Sequence, residues 1–289
     1  MIIARTRKDL NKTLQRFSQK PGKLALIPTM GNLHAGHLSL IRLAKLNAEK
    51  TITTIFVNPL QFGKNEDYSK YPRTEKVDIQ KLAKEKCDIL FIPTDKNEVF
   101  PENENLKKIE SGKLGDELCG KIRPGHFNGV LTVVNKIFEM IKPDIAIFGA
   151  KDYQQQILIK QMAENLHPSL SLLKAPIIRS KNGVALSSRN NYLSEKEIKL
   201  ASNLFKCLEN SVRSYKKNIR LCEIIENANK FLISKNLDPD YFELRDSKLN
   251  SIKDNNFKGK KIFLSSVKIN NTRLIDNIEF YMFFFTFAV

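Results

Sequence analysis

At 289 residues, with 42% hydrophobic and 27% charged side chains, the chain has the make-up of a globular protein long enough to bury a substantial core, which excludes a disordered chain. A formal net charge of +17 leaves two readings open. One is a polyanionic partner such as nucleic acid or a phosphorylated small molecule; the other is the chain-wide spread of Lys, Asn and Ile that an AT-rich genome produces, with an anionic nucleotide profiting locally.

Met1-Ile-Ile-Ala is followed at once by Arg5, Arg7 and Lys8, without the apolar stretch of a secretory signal, so a cytoplasmic protein is expected. Leu24 to Pro28 is a short, unbroken apolar run, the mark of a strand buried on both faces. It passes through Thr29 to His34 into a helical pattern carrying Leu38, Ile41, Leu43 and Leu46. Thr51 to Val57 reads as a β-branched strand, Asp78 to Lys86 as a helix and Asp88 to Pro93 as a third strand. Phe127 to Ile141 has apolar residues at helical spacing and stops before Pro143. Asp144 to Phe148 is a fourth strand closed by Gly149, and Tyr153 to Leu166 is the helix after it.

This alternation predicts an α/β fold, a Rossmann-like parallel sheet with helices on both faces, over residues 1–176. Ligands of such sheets bind outside the carboxyl ends of the strands, which puts the segments after Pro28, Val57 and Phe148 on one rim. Beyond Pro176 the pattern changes. Helical stretches Ser194–Tyr215 and Leu221–Lys235 precede strand-like runs at Asp240–Leu244, Lys261–Lys268 and Thr272–Phe280. A smaller C-terminal α+β domain over 177–289 is therefore expected. The aromatic run from Phe280 to Val289 is far short of the roughly 20 residues that cross a bilayer, and reads as a buried terminal strand or a sticky tail. The four cysteines form no CxxC and no cluster with His, as befits free thiols in a reducing compartment. The basic residues come closest to clusters at Lys216–Lys217 and at Lys258, Lys260 and Lys261.

Four segments carry chemistry. Pro28-Thr-Met-Gly-Asn-Leu-His-Ala-Gly-His37 turns from a strand into a helix N-terminus, where backbone N–H groups and the positive dipole end favour an anion. His34 and His37, three apart, share a face and can donate to phosphate oxygens. Two surface histidines are the plainer reading, but half of the chain's four histidines sit in this one Gly-flanked turn. In Phe56-Val-Asn-Pro-Leu-Gln-Phe-Gly63, Asn58 and Gln61 offer neutral amides suited to a small substrate with hydroxyl and carboxylate groups. In Phe148-Gly-Ala-Lys-Asp-Tyr-Gln-Gln155, Lys151 can neutralise phosphate and Asp152 can accept from ribose hydroxyls, with Gln155 one turn on. In Ala185-Leu-Ser-Ser-Arg-Asn190, two hydroxyls and a guanidinium can close over a triphosphate, although alone this reads equally as a polar turn.

Taken together these segments resemble the pantothenate synthetases, the AMP-forming pantoate–β-alanine ligases of the HxGH nucleotidylyltransferase superfamily. The likeness extends over nearly the whole length, through Arg123-Pro-Gly-His-Phe127, Gly129-Val-Leu-Thr-Val-Val134 and Thr272-Arg-Leu-Ile-Asp-Asn277. The resemblance implies condensation of (R)-pantoate with β-alanine through a pantoyl adenylate, releasing AMP and pyrophosphate on the route to coenzyme A. It implies an ATP site made of Met30, Gly31, Asn32, Leu33, His34, Ala35, Gly36 and His37, of Gly149, Ala150, Lys151 and Asp152, and of Leu186, Ser187, Ser188 and Arg189. A backbone contact at Ile178 completes it. His37 matches the general acid, with His34, Lys151 and Arg189 beside it in the catalytic set. Gln61 and Gln155 match the pantoate-binding glutamines, Gln61 also lying near β-alanine, and Asn58 joins them as a substrate-binding residue. Magnesium is expected to arrive mainly on ATP oxygens, the C-terminal domain to act as a lid, and the protein to be a homodimer with no nucleic-acid or membrane partner.

The sequence departs from the family pattern at Ala150, where an acidic residue is common, and at Asn270-Asn271, where Gly-Lys is usual. The acidic pair associated with magnesium in some relatives is represented by Val77 and Asp78, so no protein-borne metal ligand is expected. Two other readings remain at this point: a nucleotidylyltransferase of the same superfamily acting on a phosphate ester, and a nucleic-acid-binding protein motivated by charge alone. The neutral amides at 58, 61 and 155 speak against the first, and no nucleic-acid motif supports the second.

Overall fold

A computed structural model describes residues 1–19, 21–64 and 66–281. The chain divides into two compact units, Met1–Ile178 and Arg179–Val289.

The first unit runs β1 (Ile2–Ala4), α1 (Arg7–Ser18), β2 (Leu24–Thr29), α2 (Ala35–Asn47), β3 (Lys50–Ile55), α3 (Glu75–Lys84), β4 (Ile89–Phe91), α4 (Gly112–Gly115), α5 (Cys119–Ile122), α6 (His126–Ile141), β5 (Ile145–Gly149), α7 (Tyr153–Leu166) and β6 (Ser171–Ala175). The strands form one sheet in the order β1-β4-β3-β2-β5-β6, with every pairing parallel. The central strands β2 and β5 are apolar on both sides because both sides are covered. Leu26, Ala146 and Phe148 face one core, with Leu10 of α1 and the apolar stripes of α6 and α7. Their neighbours Ala25, Ile27, Ile145 and Ile147 face the other, with Leu40, Ile41 and Ala44 of α2 and Leu82 of α3.

The strand order fixes where a ligand can enter. β3 lies on one side of β2 and β5 on the other, so the chain reverses its direction of sheet growth there. A crevice opens at such a switch point, outside the carboxyl ends of the strands. Thr29 pairs with Ile55 and Ala25 with Ile145, and continuing the second register brings Gly149 level with Thr29. The segments after β2, β3 and β5 thus leave the sheet along one rim.

The second unit carries α8 (Glu195–Lys216), α9 (Leu221–Ser234) and an antiparallel sheet of β7 (Asp238–Asp246), β8 (Lys261–Ile269) and β9 (Thr272–Phe280) in that order. Leu204, Leu208 and Tyr215 of α8 and Ile224 and Leu232 of α9 pack on Phe242, Phe263 and Phe280 of the sheet. The lysine run at 258–261 is not a uniform basic patch: Lys261 is fully buried with Nζ on the Gly259 carbonyl, and Lys260 pairs with Glu279 at 2.8 Å. Phe280 is buried at the end of β9, and the expected terminal strand or tail from residue 282 onward lies outside the described residues. Among the described residues no helix is long and apolar enough to cross a membrane. All four cysteines are free thiols; burial pushes that of Cys207 up to about 12.

Candidate active site at the sheet switch point

The turn after β2 is shaped by two successive residues in the left-handed region, Gly31 at φ 82° and Asn32 at φ 49°. A side chain at 31 would be strained by that φ, and its Cβ would also sit 3.0 Å from Ile55 Cγ2 and 3.2 Å from Asp78 Oδ2. The two left-handed residues turn successive N–H groups the same way, the arrangement that binds an anion. Here the anion is internal. Asp78 of α3, 1% exposed, accepts from Asn32 N at 2.9 Å and Leu33 N at 2.8 Å, and from Thr74 Oγ1 at 3.1 Å. Lys81, one turn along α3, donates to the Leu33 carbonyl.

The expectation that backbone N–H groups of this turn await a phosphate is thereby corrected. Those of Gly31, Asn32, Leu33, His34 and Gly36 all have acceptors within the protein, because the turn uses them to hold its own shape. The donors it presents are imidazoles. His34 caps α2, its Nδ1 accepting from Gly36 N at 3.1 Å, while His37 Nδ1 accepts from His34 N at 3.4 Å. An accepting Nδ1 carries no proton, so each neutral ring holds its hydrogen on Nε2. The rings lie 4.1 Å apart between centroids. Burial, with the charge of Lys151 next in weight, drives His34 down to about 4, although Asp152 pulls the other way. Burial, then His34, Lys151 and Lys81, holds His37 well below the usual histidine range. Both rings are therefore neutral N–H donors at pH 7.

The charge of Lys151 acts on both imidazoles and that of Asp152 on His34. Both belong to the 3-10 turn Ala150–Asp152 that follows β5 and leads into α7. Gln155, in the first turn of α7, is half-buried, whereas its neighbour Gln154 is buried and spent on structure. Gln154 Oε1 accepts from Cys119 N, and its Nε2 donates to the carbonyls of Leu114 and Glu117. Ile178 lies beyond β6 at the end of the first unit.

Asn58 and Gln61 form a buried amide shelf on the 3-10 turn after β3. Asn58 Oδ1 accepts from Leu60 N, while Nδ2 donates to Gln61 Oε1 and to the Gly129 carbonyl, each at 3.1 Å. Gln61 Nε2 reaches Met30 Sδ at 3.0 Å, so shelf and turn touch. Several residues without an assigned role in the sequence hold this shelf. A Cβ on Gly129 of α6 would stand 2.1 Å from the Leu60 carbonyl oxygen and 2.7 Å from Gln61 Cα, so only glycine lets the helix approach. His126 Nδ1 donates to the Gln61 carbonyl at 2.8 Å, and its Nε2 accepts from Arg123 Nη1 at 2.8 Å. The tautomer follows, since a carbonyl cannot donate and a guanidinium cannot accept. Arg123 in turn holds Glu66 with two bonds of 2.5 and 2.6 Å. Burial would raise Glu66, but the hydrogen bond and charge of Arg123 outweigh it and hold the carboxyl down at about 2.

Residues Leu186 to Arg189 belong to the second unit. Arg179 anchors their hairpin: it grips Asp276 at 2.5 and 2.8 Å, donates to the Gly183 carbonyl and lies 3.6 Å from the Phe205 ring centroid. Ala185 bridges back to Arg179, and Ser187 caps the short helix Ser188–Tyr192 by accepting from Arg189 N at 3.3 Å. Ser188 is buried, and Leu186, Ser187 and Arg189 are partly exposed.

A protein-borne metal cage does not fit this site. Both Asp78 oxygens are committed to N–H and O–H donors. No group of three or more His, Cys, Asp or Glu side chains suited to a metal ion occurs among the described residues.

The family model for pantoate-beta-alanine ligase matches residues 2–279. The pantothenate synthetase of Shewanella woodyi is 40% identical over 282 residues, 97% of this chain and 99% of that protein. The crystal structure of pantothenate synthetase from Thermus thermophilus superimposes with a TM-score of 0.88 at 33% identity, over 97% of this chain and 100% of that one. That of pantoate-beta-alanine ligase from Francisella tularensis, complexed with beta-gamma ATP and β-alanine, gives 0.79 at 34% identity, over 96% and 97% of the two chains.

Proposed function

The chain belongs to the pantoate–β-alanine ligase family, and from that premise we propose how its own residues divide the work of an ATP-dependent condensation of pantoate with β-alanine. A carboxylate is a poor acylating agent because an attacking amine would have to expel an oxide. In the first step a pantoate carboxylate oxygen attacks the α-phosphorus of ATP in line, the bond to the β-phosphate bridging oxygen breaks, and pyrophosphate leaves. In the second the neutral amine of β-alanine attacks the acyl carbon, the carbon–oxygen bond to AMP breaks, and the nitrogen sheds its proton. No covalent bond to the protein is needed.

The observation that carries this reading is the pair of neutral imidazoles whose Nδ1 atoms are tied to backbone, leaving both Nε2–H groups as donors beside Lys151 at the switch point. Fixed donors of this kind stabilise charge that grows on phosphoryl oxygens without reorganising during the reaction. His37 and His34 serve as these donors, and a bound triphosphate would draw His37 toward its protonated form, the state of a general acid. Lys151 neutralises phosphate charge, Asp152 accepts from ribose, and the turn from Met30 to Gly36 with Gly149, Ala150 and Ile178 lines the nucleotide. Ser187 and Arg189, with Leu186 and Ser188, supply further triphosphate contacts, and the unit that carries them acts as a lid against water. Asn58, Gln61 and Gln155 hold pantoate by neutral hydrogen bonds, Gln61 also serving β-alanine. Magnesium enters as MgATP, the mode that ion favours with phosphate substrates. The protein works as a cytoplasmic homodimer, which its mass in solution tests.

AMP release from ATP, magnesium, D-pantoate and β-alanine, with each substrate omitted in turn, tests the assignment. Release is expected to require both acceptors and to fall at least a hundredfold in His37→Ala. Release that ignores pantoate, or survives in the variant, would sink it.

A further inference from the structure

The turn that faces ATP is braced from behind by α3, and that brace has a functional reading. Gly31 and Asn32 build a cradle of N–H groups of the kind that elsewhere takes a phosphate. Asp78 fills it, bonded to Asn32 N, Leu33 N and Thr74 Oγ1. Lys81, three residues on and so on the same helix face, holds the Leu33 carbonyl. One face of α3 therefore grips a peptide segment by its donors and its acceptor together, immediately before the helix cap at His34.

We infer that Asp78 is a positioning residue for ATP: its carboxylate occupies the anion cradle permanently, fixes the turn, and so aims the imidazoles of His34 and His37 at the phosphates. The inference rests on the reading of this turn as the ATP site. It also gives Asp78 a task other than magnesium, since its buried carboxylate already accepts three hydrogen bonds from within the protein.

Electrostatics and positioning predict opposite signs. A carboxylate near a triphosphate repels it, so removing the charge alone would tighten ATP. Removing an acceptor that shapes the turn would loosen it. Asp78→Asn is nearly isosteric, but its amide group must set an N–H against Asn32 N or Leu33 N, where only an acceptor fits. The experiment is steady-state AMP release by full-length protein, each substrate varied in turn, with circular dichroism and melting to check the fold. KM for ATP is expected to rise at least tenfold and kcat to fall, with KM for pantoate within twofold of wild type. The free magnesium needed for half-maximal rate at constant MgATP is expected to stay unchanged. Thr74→Val removes one donor to the same carboxylate and is expected to raise KM for ATP two- to fivefold; it decides the matter if Asp78→Asn does not fold. An unchanged or lower KM for ATP, an equal rise for pantoate, or a shifted magnesium requirement overturns the inference. Wild-type protein without pantoate-dependent AMP release would instead overturn the reading beneath it.

Discussion

Two loops at the same rim are held in place by opposite means. The turn at 30–37 is fixed by charge from behind: a buried carboxylate and a lysine on α3 grip its peptide groups, and its imidazoles are locked by caps. The shelf at 58–61 is fixed by contact and by a relay. Gly129 lets α6 press against Leu60 and Gln61, while Glu66, Arg123 and His126 lead in sequence to the Gln61 carbonyl. The difference matches what each loop must bind. Neutral donors for a polyanion stay neutral when buried near cations, whereas amides for a small polar acid need close placement more than charge.

The severest way to break this contrast is Gly129→Ala. The new Cβ meets backbone 2.1 Å away rather than a movable side chain, so the helix or the shelf must shift. Overpacking of this kind destabilises by about 1–3 kcal/mol and sometimes more. KM for pantoate is expected to rise at least tenfold while KM for ATP moves little, because Gly129 packs on the shelf and the hydrogen bonds that hold the turn come from α3 and from the turn itself. Equal losses for both substrates would show that shelf and turn are one cooperative body.

A smaller effect is expected at the far end of the relay. Glu66→Gln removes the charge partner of Arg123, whose side chain is 12% exposed, at roughly 1–2 kcal/mol in this partly buried setting. KM for pantoate should rise two- to fivefold as His126 loses its fixed neighbour. The sign in pH is definite. The folded carboxyl titrates at about 2 against an ordinary 4.5, so its contribution is complete above about pH 4.5 and lost as pH falls through 2. Urea melts at pH 3 and pH 6 would show the variant losing its disadvantage at the lower value; an equal gap at both would remove Glu66 from the relay.

Much of this was legible in the sequence where a pattern repeats within a few residues. The α2 turn, the strand ends and α7 follow from apolar runs and local glycines, and Tyr153–Leu166 is a helix over the predicted residues. β1 has only three residues and β6 is a half-exposed edge strand reading Ser-Leu-Leu-Lys-Ala, too short or too mixed for periodicity to reveal. In α1 the spacing of Leu10, Leu14 and Phe17 does carry a helical signal, but it is thin beside the basic and polar residues that dominate the segment. The bracing residues were hidden for another reason. Asp78 lies 46 residues from the Asn32 N–H it serves and Arg123 lies 57 from Glu66, and a single sequence gives no measure of pairing at that range. The N–H groups of Asn32 and Leu33, expected to be free, escaped on the same account, since their partner is on α3.

The gentlest probe distinguishes the two loops by the pH at which each begins to give way. His34 titrates at about 4 in the folded protein and at 6.5 when ordinary, so below 6.5 the unfolded chain binds a proton that the folded one refuses. Stability is therefore lost as pH falls from 6.5 toward 4, a window above the one that stresses Glu66, and His37 acts in the same direction. His34→Asn keeps an oxygen to cap α2 and removes the titration. Between pH 7 and pH 6 the wild type should lose about 0.7 kcal/mol more than the variant, from the linkage of one such group. Chemical melts at those two values measure it. A difference of that size places the first acid stress on the ATP turn rather than on the shelf, while parallel curves would mean that His34 is already solvated enough to take its proton in place.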